Sequence, residues 1–165
     1  MIRELESVQR SFTRKIEGLH LLEYHERLQE LKLYSLERRR DRYVVIYIWR
    51  IINGFSPNID SETAKIRTRN ESGRRGLQCV VPPLAAVSGR LQSIRECSFG
   101  FNGPRLFNCI PKELREFQGS PDAFKRRLDR FLSTVPDKPV LLGQPQAVNC
   151  NSLISRVDES RQPFP

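Results

Sequence analysis

The residues in this chain whose types could do chemistry are mostly arginines, and they come in groups. Arg38, Arg39, Arg40 and Arg42 form one cluster, Arg67 and Arg69 precede Arg74 and Arg75 around Gly73 and Gly76, and Arg105 follows a Gly103-Pro104 step. A guanidinium is a flat, permanently charged fork of donors that matches phosphate oxygens. Four arginines near the start of a helix also oppose the positive end of its dipole, which favours an anion close by. Arg67, Arg69, Arg74 and Arg75 read as a basic loop or hairpin that can follow a nucleic-acid strand. Arg105 stands where a helix start could hold an anion, although packing is the favoured role for Gly103-Pro104-Arg105-Leu106-Phe107-Asn108. Lys125, Arg126, Arg127 and Arg130 lie on the outer face of an amphipathic helix, where basic residues are usually only solvated.

Catalytic constellations do not emerge. Asp41, Asp60, Asp122, Asp129, Asp137 and Asp158 are scattered, with no adjacent pair of the kind that holds metals for nucleotidyl transfer. His20 and His25 have no cysteine pair or acid cluster in register, so no metal is expected. There is no Gly-x-x-x-x-Gly-Lys phosphate loop and no legible Ser-His-Asp arrangement. The expectation is a protein that is not an enzyme and needs no cofactor.

Twenty-eight basic against 19 acidic side chains give a formal charge of +9, which points to RNA or DNA as partner. The longest apolar run, Tyr43 to Trp49, ends at Arg50 and is far short of the ~20 residues that cross a bilayer, so no membrane is expected. The charged beginning, Met1-Ile2-Arg3-Glu4-Leu5-Glu6, lacks the apolar stretch of a secretion signal. An intracellular setting, nucleus or cytoplasm and not secreted, follows as an expectation. There Cys79, Cys97, Cys109 and Cys150, none close enough for a Cys-x-x-Cys pair, are expected to be free thiols.

The elements that must position these groups are mostly helical. From about Arg3 to Lys15, Leu5, Val8 and Phe12 share one face of a helix and Arg3, Arg10 and Arg14 the other, with Gly18 ending it. A short helix spans about Tyr24 to Lys32. Ser35 caps a third, Leu36 to Ile52, closed by Asn53-Gly54. Its first half is charged all round and should stand in solvent or on a ligand. Its second half should pass through the core, where Tyr43, Tyr47 and Trp49 more often pack than stack on bases. Between Pro57 and Gly100, short strands or extended loops are expected near 66–68 and 78–81, with a further strand from Ser93 to Phe99. Pro104 is read as the first residue of a helix through Asn108, and Pro111 begins a short turn to Arg115. Ser120-Pro121-Asp122 opens a helix to Ser133 with Phe124, Leu128, Phe131 and Leu132 on one stripe. Beyond Val135, prolines break the pattern, and only Ser152 to Val157 could make a helical turn.

Several segments, in order, resemble one family. Val8-Gln9-Arg10-Ser11-Phe12-Thr13-Arg14-Lys15-Ile16 with Gly18-Leu19, then Tyr24-His25-Glu26-Arg27-Leu28 and Leu33-Tyr34-Ser35-Leu36-Glu37-Arg38-Arg39-Arg40, are similar to jockey-like non-LTR (LINE-type) retrotransposon reverse transcriptases. So are Phe99 to Pro111, around Gly103-Pro104-Arg105-Leu106-Phe107-Asn108, and Phe124-Lys125-Arg126-Arg127-Leu128-Asp129. The likeness covers roughly residues 1–135. It implies the thumb and post-thumb region that follows the polymerase palm, without the family's aromatic-Ala-Asp-Asp catalytic turn. Asn102 stands where the family carries arginine, which removes one charge beside Arg105.

The resulting expectation is a mainly α, small helical domain over 1–135 with a minor irregular β element, followed by an extended or disordered tail over 136–165. Its function would be that of a non-catalytic nucleic-acid-binding accessory region, acting by charge and shape. The alternative is a structural or protein-interaction remnant of a truncated transposable element, made to pack against a reverse-transcriptase palm.

Overall fold

The computed structural model describes residues 2–59, 65–71, 76–83, 89–139 and 151–161. Among them are eight helices and one two-stranded antiparallel sheet: α1 (Ile2–Arg14), α2 (Tyr24–Glu30), α3 (Leu36–Ile52), β1 (Thr68–Glu71), β2 (Gly76–Cys79), α4 (Gly89–Glu96), α5 (Phe99–Cys109), α6 (Lys112–Arg115), α7 (Pro121–Leu132) and α8 (Leu153–Arg161). The mainly helical class with one small β element is the class the sequence predicts. Two compact units divide the chain: Met1–Asp41 with Val135–Pro165, and Arg42–Thr134.

The first unit is organised around the start of α3. Ser35 is its N-cap, with Oγ accepting the Arg38 amide at 3.1 Å. That satisfies one of the helix's orphan donors, as serine at this position predicts. The cap is itself held. Asp137 accepts the Ser35 amide at 2.8 Å and its hydroxyl at 2.7 Å. Asn151 donates to Asp137 at 2.7 Å and accepts the Lys138 amide at 2.8 Å. Helix α2 ends through Lys32, whose φ of 53° lets Leu33 N–H reach back to Leu28 C=O at 2.8 Å, an end that glycine usually makes.

The tail expectation needs correction at 151–161. Helix α8 forms there, with Leu153 and Val157 buried. Its first amide, Leu153 N–H, is accepted by Asp41 at 3.0 Å. Composition favoured an unstructured tail, but a partner carboxylate and two buried apolar side chains decide the matter.

The second unit packs on the apolar half of α3. Trp49 is fully buried and stacked on Phe124, with centroids 4.4 Å apart and planes 8° from parallel. Its indole N–H donates to Phe117 C=O at 3.2 Å. Trp49 is therefore core, while Tyr43 and Tyr47 are exposed. Gly54, at φ 75°, ends α3 and lets Phe55 N–H bond Arg50 C=O at 2.8 Å. Helix α7 begins at its serine cap, Ser120 Oγ accepting the Ala123 amide at 3.3 Å, and buries Phe124, Leu128 and Leu132.

Two element expectations are overturned in this unit. The segment expected as a strand from Ser93 to Phe99 is the end of helix α4 followed by a turn, with Gln92 bonded to Glu96 one helical turn on at 3.1 Å. Helix α5 starts at Phe99, so Pro104 lies inside it rather than at its first position. An internal proline costs about 3 kcal/mol in an isolated helix. Burial of Phe101, Leu106 and Phe107 on the same helix offsets it. Gly103 lies close to Ile48: an added Cβ would stand 2.8 Å from Ile48 Cδ1, so the end of that side chain would have to shift.

Candidate nucleic-acid interface

The arginine cluster on α3 splits in two. Arg38 is 0% exposed, and its guanidinium donates to the C=O of Val135 at 3.3 Å and of Pro136 at 2.9 Å. Burial lowers its pKa, partly countered by Asp137 and Asp41, yet an arginine so placed stays charged at neutral pH. The expectation that Glu37 to Arg42 stand in solvent or on a ligand fails at Arg38 and at Asp41, which is also buried. The carbonyls of the returning chain take the role that phosphate oxygens were expected to take. Arg42 is turned inward as well, holding Asp129 through Nε at 2.5 Å and Nη2 at 2.8 Å. Only Arg39 and Arg40 of the four are exposed.

Arg67 and Arg69 are both exposed on the hairpin of the second unit. Two positions apart on an extended chain, they point to the same side of the ribbon. The pairing runs Thr68 to Cys79 through Glu71 to Gly76, with Val80 N–H donating to Arg67 C=O at 2.8 Å. Side chains rather than a third strand cover the far edge of β2. Asn108 accepts the Cys79 amide and donates to the Cys79 carbonyl, each at 2.8 Å. Glu116 accepts Leu77 N–H at 3.0 Å, and Arg115 donates to Leu77 C=O at 2.6 Å. Across the hairpin Arg69 Nη2 donates to Gln78 Oε1 at 3.4 Å. Arg74 and Arg75 lie outside the described residues.

Arg105 is exposed, with its guanidinium 5.4 Å from the Phe101 ring centroid. It sits in the middle of α5 rather than at its start, where the alternative anion-binding reading would need it. The Gly103-to-Asn108 stretch is the packing motif that the sequence favours, and it positions Asn108 against β2. The basic residues of α7, expected to be merely solvated, are the more open ones. Arg126, Arg127 and Arg130 are exposed, and Arg127 lies 4.4 Å from the Phe117 ring centroid. Arg127 and Arg130 border a shallow cavity of about 310 Å³ floored by Leu114 and Phe131. Their exposure on the outer face is what the sequence predicts; the apolar floor beside them is not legible there.

Other candidate chemistry recedes. Burial pushes the Cys79 thiol up to about 12, so it stays protonated at neutral pH and is a poor nucleophile. Cys97 is an exposed free thiol, and Cys109 Sγ donates to the Leu106 carbonyl at 3.0 Å. Among the described residues no group of His, Cys, Asp and Glu side chains could hold a metal ion, and no helix is long and apolar enough to cross a membrane. No protein-family model, no curated protein and no solved structure matches the chain.

Proposed function

We propose that this chain is a non-catalytic nucleic-acid-binding region related to the C-terminal part of retrotransposon reverse transcriptases, acting inside the cell on RNA or DNA through charge and shape. The observation that carries this reading is the placement of Arg67 and Arg69, both exposed two positions apart at the start of the hairpin. Arg39 and Arg40 on α3 and Arg105 on α5 are further exposed contacts in their respective units. Arg38 and Arg42 are not among the contacts, because Arg38 is fully buried and Arg42 is half-buried against Asp129. The ordered motif likeness over residues 1–135 supports the same origin, with the palm domain as the natural neighbour.

A ribbon bearing two arginines contacts phosphates without reading bases, so little sequence preference is expected. Gel-shift titration of labelled single-stranded RNA and duplex DNA at moderate salt tests the reading. Binding of either, weakened several-fold in the Arg67→Ala/Arg69→Ala variant, is the expected result. Absence of binding by the folded wild-type chain would remove the proposal.

A further inference from the structure

The shallow cavity of about 310 Å³ lies between α6 and α7, inside the second unit. Its construction starts in the core. Phe117 stacks on buried Trp49 and on Phe124, with ring centroids 6.3 and 6.5 Å away. Phe117 in turn carries the Arg127 guanidinium, 4.4 Å from its ring centroid. A cation held over a ring is positioned without spending any of its hydrogen-bond donors. Arg130 follows at i+3 on the same side of α7 and is exposed. Helix α7 buries Phe124, Leu128 and Leu132, which leaves Phe131 half-buried at the margin of that stripe. Buried Leu114 comes from α6, its amide held by Pro111 C=O at 3.1 Å.

The rim of this cavity is polarised. Arg127 and Arg130 stand on the α7 side and exposed Glu113 on the α6 side, with Leu114 and Phe131 as the floor between them. Neither arginine is in an ion pair among the described residues. A matching ligand carries negative charge at one end, a hydrogen-bond donor at the other and a flat apolar body between. An unpaired nucleotide has that order: phosphate, ring, exocyclic amino group. An acidic peptide would set carboxylates against Glu113, and a bare anion would leave the apolar floor uncovered. The volume falls at the small end of the ~300–1,000 Å³ of ligand pockets, which leaves room for one ring and not for a base pair.

We propose that the cavity between α6 and α7 takes one unpaired nucleotide of a nucleic-acid strand, with its phosphate at Arg127 and Arg130, its ring on Leu114 and Phe131, and its amino group donating to Glu113. This rests on the nucleic-acid reading of the chain and adds to it a preference for unpaired over paired strands. The arginines of the hairpin do not supply that preference, because phosphate contacts alone position a strand without examining its bases. A ring stacked on an apolar floor does supply it, since a base must leave its pair to reach the floor.

Methyl NMR of the full chain, followed at Leu114, tests the inference with adenosine monophosphate, octaadenylate, a blunt RNA duplex and inorganic phosphate as probes. Adenosine monophosphate should shift the Leu114 methyls with a midpoint on the order of 1 mM, and octaadenylate should shift the same methyls at lower concentration. The duplex and inorganic phosphate should leave them in place. Arg130→Gln, at an exposed position that the fold does not need, should weaken adenosine monophosphate at least ~3-fold. Phe131→Leu, which keeps the volume and removes the ring, should weaken it ~5-fold or more, and Glu113→Gln about two- to fivefold. Unmoved Leu114 methyls with adenosine monophosphate, equal shifts with inorganic phosphate or with the duplex, or an affinity that none of the three variants lowers would each overturn the inference. So would a short acidic peptide with one aromatic residue that shifts Leu114 where adenosine monophosphate does not. Octaadenylate bound through Arg67 and Arg69 with Leu114 unmoved would overturn this inference alone, whereas a chain that binds neither strand nor duplex removes the broader reading as well.

Discussion

Replacing Arg38 with alanine should unfold more of this protein than replacing any other arginine of its cluster. Arg38 fills a fully buried position and donates to the carbonyls of Val135 and Pro136. Alanine would leave those two carbonyls without their donor and open a void the length of the arginine stem. Each buried acceptor left unmet costs about 1–3 kcal/mol, and the missing packing adds to that. Relief of the desolvation that lowers the Arg38 pKa works in the opposite direction. The net expected loss is about 3–5 kcal/mol, the range for breaking a buried charged contact. Arg38→Met keeps most of the volume and removes the buried charge, so it should lose less, about 1–3 kcal/mol. The exposed neighbour gives the control: Arg39→Ala should fall within about 0.5 kcal/mol of wild type. Urea denaturation followed by circular dichroism, with slopes compared so that a changed unfolded state is recognised, measures all three. Equal midpoints for Arg38→Ala and Arg39→Ala would refute the assignment of Arg38 to the interior.

Other predictions concern the supports of the candidate interface and of α1. Asn108→Ala should cost about 1–3 kcal/mol, since it strips both Cys79 backbone groups of their partner, and should speed hydrogen exchange at the Cys79 amide. Tyr24→Phe removes the hydroxyl that Glu6 accepts and should cost about 1–3 kcal/mol by thermal melting. Burial raises the Asp41 pKa above the ordinary carboxylate value. The native state then binds the proton more readily than the unfolded chain, so Asp41 contributes a stability that falls as pH rises from the ordinary value through the raised one. Asp41→Asn should flatten stability against pH in that window, and an unchanged profile would count against a buried Asp41.

Where backbone signals were local, the sequence was legible. The Ser35 and Ser120 caps and the Asn53-Gly54 end of α3 each declare themselves within a few residues. The core role of Trp49 followed from its place in an apolar run. What could not be read was the fate of charge. Arg38 and Asp41 look solvated because their partners, Val135, Pro136 and Leu153, come from the far end of the chain. Arg42 likewise meets a carboxylate 87 positions away. The stripe on α1 announced an amphipathic helix but not which side faces in, because the polar contacts of Glu6 and Thr13 decide that. Pro104 misled for a related reason: the start signal is a local preference, and the packing of Phe101 upstream of it outweighed that preference.

If exposed arginines bind nucleic acid, as proposed, while inward ones hold the fold, the salt dependence of binding separates the two groups. For duplex DNA, each phosphate that is no longer neutralised by a basic side chain should lower the slope of log affinity against log salt by about 0.9. Arg67→Ala/Arg69→Ala should therefore lower it by about 1.8, while Arg42→Gln, which removes a guanidinium already paired with Asp129, should leave it unchanged. A slope that drops for Arg42→Gln and stays fixed for the hairpin pair would contradict the account.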